Sequence, residues 1–205
     1  MDDKQLKRAE LHLGQADKVM HNIIKSSGPL LLNKTRPAYF HALVHAIINQ
    51  QLSVKAAASI MKRVLEMQGG RVFSADKINK LSDASLRRCG LSVNKIHYIK
   101  TLAKAVLHKE LNFRILVRQD DESIRKQLIG YPGIGPWSAD IFMMRGMGRT
   151  DILPIGDLII RKSMQYHYSL PDNAPYEDYF AIAERWQPYR TIASYYLWKA
   201  FQQRP

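Results

Sequence analysis

Between Leu128 and Asp157 lie residues whose types and spacing suit two tasks, gripping a phosphate and holding a negative charge. Tyr131-Pro132-Gly133-Ile134-Gly135-Pro136 makes a glycine-bracketed turn between two helical patterns, Ile124, Leu128 and Ile129 before it and Ile141, Phe142 and Met144 after it. Gly133 and Gly135 let backbone N–H groups face outward where a side chain would block approach, and Pro136 opens the second helix without wasting a donor. Amides at a positive helix end bind phosphate. The plain alternative is a tight connection between packed helices. Further on, Asp157 follows Pro154-Ile155-Gly156 and precedes Leu158-Ile159-Ile160, which makes it an N-cap for the next helix. Capping does not compete with function, because a carboxylate fixed at a positive helix end is suited to stabilising positive charge on a sugar. Asp140, on a helix and expected to be exposed, and Asp151, at a loop entrance, are the weaker local acids.

Such residues need a scaffold, and hydrophobic spacing is helical almost throughout, without strictly alternating β-branched runs. The chain should be mainly α. Pro37 suits a first helical turn, ahead of a buried face made by Phe40, Leu43, Val44, Ile47 and Ile48. Ser53 is placed to cap a second helix carrying Val54, Ala57, Ile60, Val64 and Leu65, which Gly69-Gly70 stops. Ser82 caps a short helix ending at Gly90, and Ser92 caps the next, whose Ile96, Ile99, Leu102, Ala103 and Val106 share one side. After the glycine-bracketed turn comes a loop from Gly146 to Gly156, then a helix from Asp157 and two more around 179–186 and 188–201.

The chain has 205 residues, 46% of them apolar, enough for one domain or two small lobes, and shows no internal repeat or long linker. Lysine and arginine outnumber acids 31 to 18, a formal net charge of +13 that attracts an anionic partner, nucleic acid first among them. One cysteine, Cys89, excludes an internal disulfide and a cysteine-ligated zinc or iron-sulfur cluster, and reads as a small buried hydrophobe. No apolar run approaches the roughly 20 residues of a spanning helix, so an intracellular protein away from membranes is expected. His41 and His45 have a zinc spacing but lack an evident third ligand, and a half-buried helix face is the better account. Met143, Met144 and Met147 read as core filler, and Tyr189, Tyr195 and Tyr196 as packing for the last helix.

The run Pro132 to Ala139 with Pro154-Ile155-Gly156-Asp157 resembles the helix-hairpin-helix and Gly/Pro-rich aspartate loop of a DNA glycosylase superfamily. Ile47-Ile48-Asn49-Gln50-Gln51-Leu52-Ser53, Gly90-Leu91-Ser92 with Lys95, Trp186-Gln187-Pro188-Tyr189-Arg190 and Tyr196-Leu197-Trp198 resemble further blocks of its alkylbase, or 3-methyladenine, glycosylase II branch. The resemblance implies an all-α fold of two helical lobes flanking a DNA-binding cleft, lobe one about 38–147 with the helix-hairpin-helix at 123–147, and lobe two about 1–37 plus 148–205. It implies a monofunctional glycosylase that flips an alkylated purine out of damaged double-stranded DNA and hydrolyses its glycosidic bond, with Asp157 as the catalytic carboxylate. Trp137 stands where lyase members carry a Schiff-base lysine, so no lyase step is expected, and Trp137 and Trp198 would line the base pocket. Ile141 stands where the alkyladenine member has another aromatic. Gly133, Ile134 and Gly135 would hold DNA, and Gln51 with Leu52 would fill the gap left by the flipped base, while Gln50 shapes the loop.

Lysines and arginines at 55, 62, 63, 95, 100, 104, 161 and 162 are available for phosphate. No organic cofactor is implied, and a monovalent cation on hairpin carbonyls is a family option. The expected state is a monomer in the cytoplasm and nucleoid, or in the nucleus, according to the organism. Two other readings stay open: a related enzyme favouring deaminated bases such as hypoxanthine or uracil, and a non-catalytic helix-hairpin-helix protein that only binds DNA.

Overall fold

The computed structural model describes residues 3–32 and 37–203, and among these residues there is no β-strand. The chain divides into two compact units, Pro37–Met147 on one side and Met1–Arg36 with Gly148–Pro205 on the other. No helix among the described residues is long and apolar enough to cross a membrane.

Two helices of the second unit, α1 (Asp3–Ala16) and α2 (Lys18–Ser27), open the chain. The unit Pro37–Met147 is built on α3 (Tyr39–Asn49), whose Phe40, Ala42, Leu43, Val44, Ala46, Ile47 and Ile48 are all buried. A helix apolar on so much of its circumference must be surrounded, and α3 packs against α4 (Val54–Gln68), α7 (Val93–Leu107) and a π-helical segment, Phe142–Met147. Between α4 and α7 come two short helices, α5 (Ala75–Lys80) and α6 (Asp83–Arg88). Ser53, Ser82 and Ser92 cap α4, α6 and α7 through side-chain oxygens 3.1–3.2 Å from the amides of Ala56, Ser85 and Lys95. Gly69, at φ +68, ends α4 in the left-handed conformation. After α8 (Phe113–Leu116), the pair α9 (Asp121–Ile129) and α10 (Pro136–Ile141) completes the unit.

Two expectations need correction. Pro37 lies outside the helix, because Ala38 is extended at ψ 140 and α3 begins only at Tyr39. Gly146 is buried in the π-helical segment, where a Cβ would come 2.9 Å from Ala42 Cβ, so the missing side chain lets that segment close on α3. The loop therefore starts after Met147.

The other unit packs α1 and α2 with α11 (Leu158–Tyr168), α12 (Tyr176–Glu184) and α13 (Arg190–Gln202) around Leu13, Met20, Ile23, Met164, Trp186 and Leu197. Its polar centre is Asp17, 3% exposed. Asp17 caps α2 by accepting from Val19 N and Met20 N, and it also accepts from Trp186 Nε1 and Tyr168 Oη, each at 2.9 Å. A buried carboxylate is tolerable only with such bonding, and this one ties α1–α2 to the later helices. Burial beside Asp17 pushes the Tyr168 hydroxyl far above the ordinary tyrosine range.

Candidate nucleic-acid interface and carboxylate

The turn between α9 and α10 uses its glycines differently. Gly133 sits at φ +81, and a Cβ there would lie 2.1 Å from Tyr98 Cδ2, so both conformation and space demand glycine. Gly135 caps α10 at φ −92 with no atom within 4 Å of its Cβ position, which leaves that side open to a ligand. Among the described residues the N–H groups of Gly133 and Gly135 donate to no backbone carbonyl, whereas Ile134 N donates to Tyr131 O at 3.1 Å. Ile134 is 3% exposed, so this position offers almost no surface of its own and its side chain anchors the turn in the core. The hairpin, Gln50 and Tyr98 border an open hollow of about 500 Å³.

Asp140 departs from its expected exposure: it is 4% exposed. Its Oδ1 accepts from Arg125 Nε at 2.9 Å and lies 2.8 Å from Nη2, and the pair pins α10 to α9. Burial pushes its carboxyl upward and the Arg125 guanidinium opposes that shift. Trp137, half-buried, occupies the first turn of α10.

The α3–α4 loop is tied to the hairpin. Gln50 Nε2 donates to Gly133 O at 2.8 Å and Ser138 Oγ at 2.7 Å, so its side chain braces the hairpin as well as shaping the loop. Lys95 Nζ donates to Ile48 O at 2.8 Å and Gln50 O at 2.7 Å. Burial lowers the Lys95 pKa, and its ammonium serves the carbonyls at the end of α3. These braces hold Gln51 at φ +54, a left-handed conformation that costs a non-glycine residue about 1–3 kcal/mol. Gln51 is exposed and Leu52 is 38% exposed beside it.

Asp157 is the N-cap of α11, and three donors converge on its Oδ1: Ile159 N at 2.9 Å, Ile160 N at 3.1 Å and Trp198 Nε1 at 3.2 Å. Trp198 therefore orients the carboxylate as well as presenting a partly buried ring, which packs against Tyr195 with centroids 5.7 Å apart. Asp151 is engaged elsewhere, in a two-pronged pair with Arg190 at 2.8 and 2.9 Å. That pairing removes it as a rival acid.

Several basic residues singled out for phosphate serve the protein itself. Arg63 donates to Cys89 O and Ser59 Oγ, Lys100 pairs with Asp83, Lys62 with Glu66, and Arg161 donates to Ile155 O at 2.7 Å. Lys55 is exposed on the first turn of α4, two residues past the cap Ser53. His41 stacks on Phe73 and accepts its N–H at Nδ1, so the ring is neutral at that nitrogen, and burial lowers its pKa. Among the described residues no group of three or more His, Cys, Asp or Glu is placed to hold a metal. The sequence alone assigns no role to Tyr98 or Thr191, and it offers Arg190 only as the end of the Trp186–Arg190 block. Tyr98 sits one helical turn beyond Lys95, a local signal, whereas the partners of Arg190 and Thr191 lie about 40 residues away.

An all-helical chain with a hairpin presenting amides and a separately capped, tryptophan-bonded aspartate belongs to a class built to meet anionic polymers. Residues 44–188 match the HhH-GPD superfamily of base excision DNA repair proteins, and the chain belongs to that superfamily. It is 28% identical over 198 residues to DNA-3-methyladenine glycosylase 1 of Schizosaccharomyces pombe, covering 95% of this chain and 87% of that protein. Among solved structures, the S. pombe 3-methyladenine DNA glycosylase Mag1 in complex with abasic DNA superposes with a TM-score of 0.85 at 28% identity, over 94% of this chain and 95% of that one. DNA-3-methyladenine glycosidase from Bacillus halodurans gives 0.81 at 33% identity, over 94% and 88%.

Proposed function

We propose that this chain is a monofunctional DNA glycosylase of base excision repair that removes alkylated purines of the N3-methyladenine and N7-methylguanine kind, leaving an abasic site. The single observation that carries the reading is Asp157: a carboxylate of an HhH-GPD chain, locked at a helix N-terminus by two amides and an indole N–H. Amides at the hairpin hold the backbone, and the target nucleotide leaves the stack because its glycosidic bond is out of reach inside the duplex. As the C1′–N bond breaks, its electron pair goes to the base and the sugar gains oxocarbenium character. Asp157 stabilises that charge while water adds at C1′ and gives up a proton. A base already cationic from ring alkylation leaves as a neutral molecule, so no strong general acid is required. Trp137 and Trp198 offer aromatic faces for such a cation. The absence of a lysine at Trp137 gives no amine for a Schiff base, hence no strand cleavage. A monovalent cation on hairpin carbonyls remains compatible with this reading, although Gly133 O already accepts from Gln50 and Tyr131 O from Ile134, and no step depends on it.

The test is release of free base from methylated duplex, beside duplexes carrying hypoxanthine or uracil. Methylated purines should be released fastest, and the strand should stay intact until alkali is added. Preferential release of a deaminated base would shift the substrate class, strand breakage without alkali would contradict the monofunctional reading, and binding without release would leave only a DNA-binding module.

We read Gln51 as the side chain that enters the gap of the flipped base, a reading supported by its exposure and by its left-handed conformation beside the Lys95 and Gln50 braces. Gln51→Ala should weaken binding to an abasic-site mimic roughly tenfold, about 1.4 kcal/mol, with little change on undamaged duplex. Equal losses on both in a titration would remove the wedge role.

A further inference from the structure

We infer that Arg190 and Thr191 are positioning residues for the reaction, setting the Asp157 carboxylate through the loop that precedes it, so that α13 acts as a template for both ends of that loop. The inference rests on the reading of Asp157 as the catalytic group. Thr191, 2% exposed, donates its hydroxyl to Arg149 O at 2.8 Å, accepts from Ile152 N at 3.0 Å, and donates its own N–H to Thr150 O at 3.0 Å. One residue earlier, Arg190 grips Asp151 with two side-chain nitrogens on two carboxylate oxygens and adds its backbone N–H to Oδ1 at 3.3 Å. Such a fork fixes direction as well as distance. Residues 149–152, the start of the loop, are thus fastened to the first turn of α13.

The far end is fastened to the same helix. Trp198 lies eight residues beyond Arg190, about 12 Å along the helix axis, and its indole donates to Asp157 Oδ1. Between the two anchor points the loop makes short turns, Ile155 N to Leu153 O at 2.9 Å and Asp157 N to Pro154 O at 2.8 Å, and Arg161 clamps Ile155 O. A rigid helix that holds both ends of a seven-residue span from Asp151 to Asp157 sets, together with the α11 amides, where the carboxylate sits. Displacement of a reacting group by about 1 Å can cost 10²-fold in rate, so anchors remote from the chemistry carry kinetic weight.

Thr191→Val keeps the shape and removes both hydroxyl bonds, while Thr191→Ser keeps the bonds. Asp151→Asn breaks the ionic grip at a site a quarter exposed, where a failure to fold is not expected. In single-turnover release of methylated purine, Thr191→Val and Asp151→Asn should slow the step roughly ten- to a hundredfold, with Thr191→Ser near wild type. Half-saturating DNA concentration and affinity for a neutral abasic mimic should stay within about threefold, and the preference for a cationic over a neutral sugar mimic should fall. If the folded variants release base at the wild-type rate and keep that preference, with only a lower Tm, the residues are merely structural and the inference is overturned. Asp157→Asn run in parallel separates the failures. If it is inactive while the Thr191 and Asp151 variants are unaffected, only the template idea falls; if it too releases base normally, the catalytic assignment falls and takes the template with it.

Discussion

Asp157→Asn should lower the rate of base release from methylated DNA by roughly 10²- to 10³-fold without loosening the fold. Asparagine is as good an N-cap as aspartate, so the bonds from Ile159 N and Ile160 N have an acceptor in the variant. What disappears is the charge. A carboxylate about 4 Å from a unit positive charge, at an effective dielectric near 20, contributes about 4 kcal/mol, and that energy corresponds to roughly 10³ in rate. Thermal melting should change little. Retention of wild-type single-turnover release by a folded Asp157→Asn would show that no catalytic charge resides here.

Gly133→Ala should instead damage the platform on which DNA is held. Its φ of +81 is a conformation that costs an alanine about 1–2 kcal/mol, and its Cβ would overlap the Tyr98 ring at 2.1 Å. Relief requires the ring or the hairpin to move, and movement of the hairpin breaks the Gln50 bonds to Gly133 O and Ser138 Oγ. Affinity for damaged and undamaged duplex should both fall at least about tenfold, or 1.4 kcal/mol, and Tm should drop. Gly135→Ala is the informative contrast. Its φ is ordinary and its surroundings are empty, so the protein should melt normally while duplex binding weakens because a methyl group occupies the open side of the turn. Normal melting and binding by Gly133→Ala would contradict the fit between hairpin and Tyr98.

What could be read from the sequence was local chemistry. The serine caps at positions 53, 82 and 92 and the aspartate cap at 157 each depend on residues within three or four positions, and the structure uses them as caps. What stayed hidden depends on partners far away in the chain. Asp140 reads as an exposed helical acid until Arg125, fifteen residues earlier, is brought against it. Asp17, the polar centre of its unit, meets Trp186 across 169 positions. The family resemblance implies a pocket wall at Trp198; its N–H bond to Asp157, 41 residues away, adds an orienting role that the resemblance does not suggest. Gly146 belongs to the π-helical segment instead of a loop because of its close approach to Ala42, 104 residues earlier.

The most direct measurement is a crystal structure of the protein bound to duplex DNA carrying a pyrrolidine-type cationic sugar mimic at the lesion. The charged ring nitrogen is expected within ion-pair reach of the Asp157 carboxylate, about 4 Å, with Trp198 still donating to Oδ1. A mimic bound with its nitrogen facing another acid, or facing solvent well beyond that distance, would contradict the role given to Asp157.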